Sequence, residues 1–217
     1  EPNGVVQVRL DTSLQTLTTD ENGNFSALVN LNQNTVNAII VMATDRAMNE
    51  PGVAIANITE DSTPPNITLL GANPLSVNVF SSYTELGAIA IDGVDGNVFE
   101  SIVTDASQVN TNTVGTYTVT YTAHDAAGNV RTVGRMVNVV DVVRPEITLI
   151  GDNPQRIEVG NPYTEFGATA SDNYDGNITA RIVVVNPVDT NTLATYAVHY
   201  NVTDTAGNAA EEIVRTV

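Results

Sequence analysis

Acidic and amide side chains recur at matching places in this chain, and their oxygen atoms could bind a divalent cation. The phrase D-x-x-D-G-N stands at residues 92–97 and 172–177, and D-x-A-G-N stands at 125–129 and 204–208. Calcium takes about 6 to 8 oxygen ligands, including backbone carbonyls and water. We therefore predict two calcium sites. Their residues are Asp61, Asp92, Asp95, Asp125 and Asn129 at the first and Asp141, Asp172, Asp175, Asp204 and Asn208 at the second.

The same residues also have an interpretation without a metal. Asp and Asn side chains accept hydrogen bonds from nearby backbone N–H groups and cap tight turns. Each aspartate could then cap its own turn and face solvent. The repetition of the same acids at two places favours the calcium hypothesis, and calcium is the only cofactor that we predict.

Catalytic chemistry has little support in the composition. The chain contains no cysteine or tryptophan, and its two histidines are His124 and His199. A Ser-His-Asp arrangement needs a histidine held by a carboxylate beside a nucleophile. Asp125 adjoins His124, but neighbouring residues on a strand point to opposite faces. We predict that the chain is not an enzyme and has no catalytic residues.

The D-x-A-G-N phrase closes a Val- and Tyr-rich strand and reads as a hairpin turn. A third version begins at Asp45, with Met48 in place of the glycine. The spacing is 125 − 45 = 80 residues and then 204 − 125 = 79 residues. This period predicts three domains, at residues 1–61, 62–141 and 142–217.

Period-two alternation predicts strands throughout, and helical periodicity is not sustained anywhere. In residues 115–123 the larger side chains alternate with threonine, which predicts a core face containing Tyr117 and Val119, and Tyr196 and Val198 match them. The first repeat shows alternation at 4–10, 25–31, 36–44 and 53–59.

The first repeat therefore has only about five strands, against roughly seven in an immunoglobulin-like sandwich. We expect one or more opening strands to be missing from it. They would be supplied by residues upstream of Glu1 or by a strand of another molecule, such as one resembling residues 213–217.

The net charge of the chain and the length of its linkers limit which partners and which arrangement of domains we expect. With 25 acids against 8 basic residues, the net charge of −17 repels phosphate backbones, so nucleic acid is not an expected partner. No apolar run reaches the ~18 to 20 residues of a membrane helix, so no membrane insertion is expected. The short linkers at 60–65 and 141–145 contain proline and predict domains that touch end to end in a rod.

Five phrases occur in the same order in the second and third repeats: P-x-I-T-L-x-G-x-N-P, Y-T-E-x-G-A, D-x-x-D-G-N, T-Y-x-V-x-Y and D-x-A-G-N. Over residues 64–217 they resemble the bacterial immunoglobulin-like repeats related to hyalin and PKD-type modules. The first repeat resembles another bacterial Ig-like type, through D-E-N-G-N-F-S and N-T-V-N-A-I-I-V-x-A-T-D. The resemblance implies three tandem all-β Ig-like sandwiches at the cell surface or outside the cell, and it implies no reaction.

From these observations we predict a non-catalytic extracellular spacer that displays or assembles other domains, with calcium stiffening its junctions. Its partners would be neighbouring domains of a longer chain or other copies of itself. Two alternatives stay open. One is an adhesin or carbohydrate-binding module with a cell-surface or polysaccharide ligand, for which Tyr174 is the loop aromatic to consider. The other is a subunit of a surface layer or filament joined by strand exchange.

Overall fold

The computed structural model describes residues 2–49 and 51–217, and this part of the chain is built almost entirely of strands. In the first repeat the strands are β1 Val5–Leu10, β2 Ser13–Thr18, β3 Thr35–Thr44 and β4 Gly52–Glu60. In the second repeat they are β5 Asn66–Leu69, β6 Leu75–Asn78, β7 Ala88–Asp92, β8 Gly96–Asn97, β9 Val103–Asp105, β10 Gly115–His124 and β11 Val130–Val140. In the third repeat they are β12 Glu146–Leu149, β13 Ala168–Asp172, β14 Gly176–Asn177, β15 Val183–Val185, β16 Ala197–Asn201 and β17 Ile213–Thr216. Single-turn 3-10 helices lie at Phe99–Ser101 and Thr179–Arg181.

The strands belong to two compact units. Unit one takes in the chain up to Ala72 together with Glu85–Ala106 and Val119–Arg135. Unit two takes in Asn73–Thr84, Ser107–Thr118 and Met136–Val217. The second sequence repeat therefore contributes residues to both units.

The first repeat forms one antiparallel sheet in the order β2-β1-β3-β4, with Val6, Val8 and Leu10 buried on one face. The prediction of a strand at residues 25–31 is wrong, because this extended segment forms no ladder in the described structure. Its alternation instead turns Ala27, Val29 and Leu31 to a half-buried side. Alternation sets which way side chains point, whether or not a neighbouring strand supplies a ladder. The origin of the missing opening strands stays a prediction.

The second repeat contains two sheets, in the orders β5-β7-β8 and β6-β11-β10-β9. On β10, Val119, Tyr121 and Ala123 are fully buried, while Thr118 is exposed. The predicted strand register is therefore confirmed, since a slip of one residue would have exchanged the two faces. Tyr117 is half-buried, and its hydroxyl donates to the Thr113 carbonyl at 2.9 Å.

The third repeat follows the same plan, with sheets β12-β13-β14 and β15-β16-β17. Its core brings Ile147 and Ala170 of one sheet together with Val198 and Tyr200 of the other. The hydroxyl of Tyr196 donates to the carbonyl of Thr192, four residues earlier, at 3.1 Å. The hydroxyl of Tyr117 likewise donates to the carbonyl four residues before it, that of Thr113. One difference is that residues 155–158, which match β6, are not a strand. The all-β class and the Ig-like sandwich are confirmed.

A buried arginine lies at the centre of each of these sandwiches. Arg135 has no exposed surface, and its guanidinium donates to the carbonyl oxygens of Leu70, Ala72 and Gly87 and to the hydroxyl of Tyr121. Because three of the acceptors belong to loops around β5 and β7, this one side chain ties those loops to β11. This role of Arg135 was not predicted from the sequence.

Arg215 takes the same place in the third repeat, at 215 − 135 = 80 residues further on. It pairs with Glu165 at 2.7 Å and donates to the Gly167 carbonyl at 3.1 Å. Glu165 also accepts hydrogen bonds from the hydroxyls of Tyr163 and Tyr200. Burial of the hydroxyl and the hydrogen bond to Glu165 raise the pKa of Tyr163 to about 12. The Y-T-E-x-G-A phrase thus encodes a polar network inside the sandwich.

Gly151 provides a test of how tightly this network is packed. Its φ is +77°, and a Cβ at this position would lie 2.5 Å from Cδ2 of Phe166. The ring of Phe166 faces the buried Arg215 guanidinium, 5.3 Å from its centroid, so the ring has little room to move. We expect Gly151→Ala to cost about 1 to 2 kcal/mol for the left-handed backbone and about 1 to 3 kcal/mol more for the overlap.

The matched control is Gly160→Ala, because Gly160 has a φ of +87° and open space where the Cβ would be. It should lose only the backbone contribution. Urea denaturation of both variants measures the difference in the free energy of unfolding. Equal losses of stability would show that the Phe166 ring moves away from the new Cβ at no cost.

Candidate metal centres

Site one consists of the carboxylates of Asp61, Asp92 and Asp95, which offer one oxygen each within 4.8 Å of one another. Asp61 belongs to the first linker, Asp92 is the last residue of β7, and Asp95 belongs to the loop between β7 and β8. Asp92 is only 4% exposed, and its Oδ1 accepts the backbone N–H groups of Val94 and Asp95 at 2.7 and 3.0 Å. Its Oδ2 and the Oδ2 of Asp61 are buried without a hydrogen-bond partner.

Site two consists of Asp141, Asp172 and Asp204, whose ligand oxygens also lie within 4.8 Å of one another. Its third member, Asp204, matches Asp125 of the second repeat, not Asp95. All three residues are buried, at 6%, 9% and 7% exposure. Asp172 Oδ1 accepts the backbone N–H groups of Tyr174 and Asp175 at 2.8 and 2.9 Å. The Oδ2 atoms of Asp141 and Asp172 are buried without a partner.

The two orphaned oxygens at each site distinguish these clusters from self-capped turns. One carboxylate oxygen of Asp92 and of Asp172 caps its loop, as the interpretation without metal requires. The second oxygen, however, is buried without a hydrogen-bond partner, in a residue that belongs to the carboxylate cluster. A buried polar atom with no partner is costly, and several carboxylates together add repulsion. A hard divalent cation bound by oxygen ligands fits both features.

Asp125 and Asn129 lie next to site one and connect its turn to the linker. Asp125 is 3% exposed, and its two oxygens accept the backbone N–H and the Nδ2 of Asn129, both at 2.8 Å. Asn129 Nδ2 also donates to the Asp61 carbonyl at 3.2 Å. The side-chain amide of Asn129 therefore donates to both Asp125 and the Asp61 carbonyl, and this holds the backbone of Asp61 beside the turn.

Asn208 does the same at site two, where its Nδ2 donates to the Asp141 carbonyl at 3.2 Å and to Asp204 at 2.7 Å. Of the predicted carboxylates, Asp125 and Asp175 are the two that fall outside the clusters, and Asp175 has other partners. Its Oδ2 accepts the backbone N–H of Thr205 at 2.7 Å and pairs with Arg181 at 2.8 Å. The hydrogen bonds from Thr205 and the charge of Arg181 lower the pKa of the Asp175 carboxyl.

Arg181 and Thr205 were not predicted from the sequence, although one signal was present. Arg181 follows Asp175 by six residues, whereas the matching position after Asp95 is Ser101. A charge difference at equivalent positions of two otherwise similar loops indicates where the two sites diverge.

The carboxyl pKa of Asp61 is raised by its position in site one. Burial raises the pKa of its carboxyl, a hydrogen bond from Thr63 opposes that shift, and the charges of Asp92, Asp125 and Asp95 raise it further. A carboxyl whose folded pKa lies above its ordinary value of 3.8 stabilises the fold below that pH. This contribution is lost as the pH rises through the raised pKa.

We therefore expect Asp61→Asn to gain stability relative to the unmodified chain as the pH rises from about 4 to 7 in calcium-free buffer. The amide stays neutral over this range, so the repulsion does not develop. Urea denaturation at a series of pH values measures the difference. Glu21→Gln, which removes an exposed acid elsewhere in unit one, is the control. A difference that shrinks with pH would contradict the assignment.

Tyr174, the loop aromatic considered for carbohydrate binding, packs against the protein itself. Its ring centroid lies 6.0 Å from that of Phe80, at an angle of 47°. Its hydroxyl accepts the backbone N–H of Val114 at 3.2 Å. Tyr174 is half-buried, and both its ring and its hydroxyl have contacts within the protein.

Among the residues that the structure describes, no helix is long and apolar enough to cross a membrane.

Two proteins of known sequence show what the chain is similar to. The pesticidal crystal protein Cry22Aa of Bacillus thuringiensis is 29% identical over 182 residues, which is 80% of this chain and 24% of that protein. An uncharacterized 81.3 kDa protein of Acholeplasma phage L2 is 31% identical over 136 residues, which is 59% of this chain and 18% of that protein. The chain thus spans at most about a quarter of either relative.

Solved structures match over nearly the whole chain but only loosely. A Clostridium perfringens structure of an M60 catalytic domain with two CBM51 domains gives a TM-score of 0.35 at 15% identity, covering 98% of this chain and 36% of that one. The extracellular domain of protocadherin gamma B4 also gives 0.35, at 16% identity, covering all of this chain and 42% of that one.

A family model described as "Bacterial surface protein, Ig-like domain" matches residues 67–139 and again residues 147–217. The two matches together cover more than half of the chain, and they coincide with the second and third sequence repeats. The family places such domains on the bacterial surface, and its description names no reaction. The chain belongs to the family of bacterial surface proteins with Ig-like domains.

Proposed function

We propose that the chain is a non-catalytic extracellular spacer whose linkers are fixed by calcium. The observation that supports this most directly is the pair of buried, unpartnered carboxylate oxygens at each site. At each site, one such oxygen comes from a linker aspartate and the other from the last residue of a strand, Asp92 of β7 or Asp172 of β13. A cation bound to both would tie the linker to that strand.

The proposal explains why the linker residues are so well anchored by the surrounding turns. Asn129 and Asn208 hold the backbone of Asp61 and Asp141 through hydrogen bonds to their carbonyl oxygens. Side-chain carboxylates of Asp61 and Asp141 are thereby kept beside the other acids, in spite of the mutual repulsion. Without a cation each close pair costs roughly 1 kcal/mol even at high dielectric. A bound cation would convert this repulsion into an attraction that holds the linker still.

Isothermal titration calorimetry with calcium, combined with hydrogen exchange, tests the proposal. We expect two calcium ions per chain, and slower exchange of the backbone amides at 61–63 and 142–144 when calcium is present. Exchange of the exposed turn at 20–24 serves as the internal control, because its Asp20 already accepts the N–H groups of Asn22 and Asn24 at 2.8 Å.

The result against the proposal would be an absence of calcium heat at millimolar concentration, with unchanged exchange in both linkers. Calcium binding that leaves linker exchange unaltered would support the metal sites but contradict the stiffening.

A further inference from the structure

We infer that the two metal sites are unequal, and that Arg181 makes site two the weaker one. This inference rests on the proposed function, because it concerns the strength of the same calcium sites. It starts from a residue that neither the repeat pattern nor the family match assigns to any role.

The four carboxylates around site two do not all face the cation position. Asp175 Oδ2 is occupied by the backbone N–H and hydroxyl of Thr205 and by the Arg181 guanidinium at 2.8 Å. The Asp175 side chain is 12% exposed, so the ion pair is partly shielded from water. Asp141, Asp172 and Asp204 remain to bind the cation.

At site one, the position that matches Arg181 holds no positively charged side chain. Asp95 Oδ2 accepts the backbone N–H of Ala126 at 2.6 Å, and Asp95 also offers an oxygen to the group with Asp61 and Asp92. Ser101 stands where Arg181 stands in the third repeat, and its hydroxyl donates to the Val98 carbonyl at 2.8 Å. The serine brings no charge to the site.

The difference in charge sets the expected difference in affinity. Site one has four nearby carboxylates, those of Asp61, Asp92, Asp95 and Asp125, and site two also has four, of which Asp175 is neutralised by Arg181. A unit positive charge several ångströms from a divalent ion in a solvated setting weakens binding by on the order of tenfold. As calcium falls, site two would therefore empty first, and the linker at 141–145 would be released before the linker at 60–65.

Two single-site variants allow the affinities to be compared directly by calorimetry. Asp172→Asn leaves site one intact, and Asp92→Asn leaves site two intact. In each variant the amide oxygen can still cap its loop. In the same buffer, we expect the chain with only site one to bind calcium about tenfold more tightly.

Exchanging the charged residue then assigns the difference to Arg181. In the Asp92→Asn chain, Arg181→Ser and the bulkier Arg181→Gln are each expected to tighten calcium binding by about tenfold. In the Asp172→Asn chain, Ser101→Arg is expected to weaken it. Arg156→Ser, which removes an exposed arginine elsewhere in unit two, is the matched control and should change nothing. Circular dichroism confirms that each variant is folded.

Equal affinities in the two single-site chains would overturn the inference while leaving the calcium sites in place. Unchanged affinity on removing Arg181 by both substitutions would also overturn it. An absence of calcium binding by the unmodified chain would instead overturn the proposed function itself, and the inference with it.

Discussion

Replacement of Arg135 by alanine is expected to lower the free energy of unfolding by about 3 to 5 kcal/mol, the range found when one member of a buried ion pair is removed. The carboxylate partner of Arg135 is Glu85, whose Oε1 lies 3.9 Å from Nε. The guanidinium is fully buried and donates to carbonyl oxygens of Leu70, Ala72 and Gly87 and to the Tyr121 hydroxyl. Alanine leaves these acceptors without their donor in a place closed to water, and it also opens a cavity.

Urea denaturation of the full chain measures the loss. Arg131→Ala is the matched control, because Arg131 is an exposed arginine on the same strand and should change stability by less than about 0.5 kcal/mol. Arg135→Lys keeps the charge but lacks the planar fork of donors, and we expect it to recover only part of the loss. A loss below about 1 kcal/mol for Arg135→Ala would show that water replaces the guanidinium.

In calcium-free buffer, Asp172→Asn is expected to raise the melting temperature rather than to lower it. The substitution removes one charge from three carboxylates that lie within 4.8 Å, and each close pair costs roughly 1 kcal/mol. The amide oxygen can still accept the N–H groups of Tyr174 and Asp175. In saturating calcium the order reverses, because only the unmodified site gains about 2.7 kcal/mol at a calcium concentration of 100 times Kd.

Differential scanning calorimetry in chelator and in millimolar calcium measures both halves of this reversal. A gain of 1 kcal/mol corresponds to roughly 4 to 8 °C for a domain of this size. Asp152→Asn removes an exposed acid outside the clusters and should respond to calcium as the unmodified chain does. Lower stability of Asp172→Asn in chelator would mean that Asp172 is needed for its hydrogen bonds and that repulsion is unimportant.

The parts of the fold that could be predicted are those that depend on side-chain direction alone. Val119 and Val198 lie on the buried face because large residues alternate with small polar ones, and this is visible in the sequence. Strand pairing is less visible. β2 was missed because Leu14 and its neighbours lie on an edge strand with both faces largely exposed, where no face selects apolar residues.

The carboxylate clusters could be predicted as groups, since repetition and sandwich topology bring the same loops together. The hydrogen-bond or ion-pair partner of each carboxylate oxygen could not be predicted, because it depends on distances that only the folded chain sets. Asp95 and Asp175 stand at equivalent positions, yet only Asp175 has an arginine within 2.8 Å. Buried arginines were missed for a related reason. A charged residue is expected at the surface. Arg135 can be buried only because its guanidinium donates hydrogen bonds to loop carbonyl oxygens.

Each site takes one carboxylate from the end of one repeat and the others from the repeat that follows. Asp141 is the last residue of the second predicted domain, whereas Asp172 and Asp204 belong to the third. A single repeat, copied elsewhere in a gene, would carry the two halves of different sites. Shortening or lengthening such an array by whole repeats recreates a full site at the new boundary, but inserting one residue beside Asp141 would not. Selection on the linkers should therefore preserve their length more strictly than their composition.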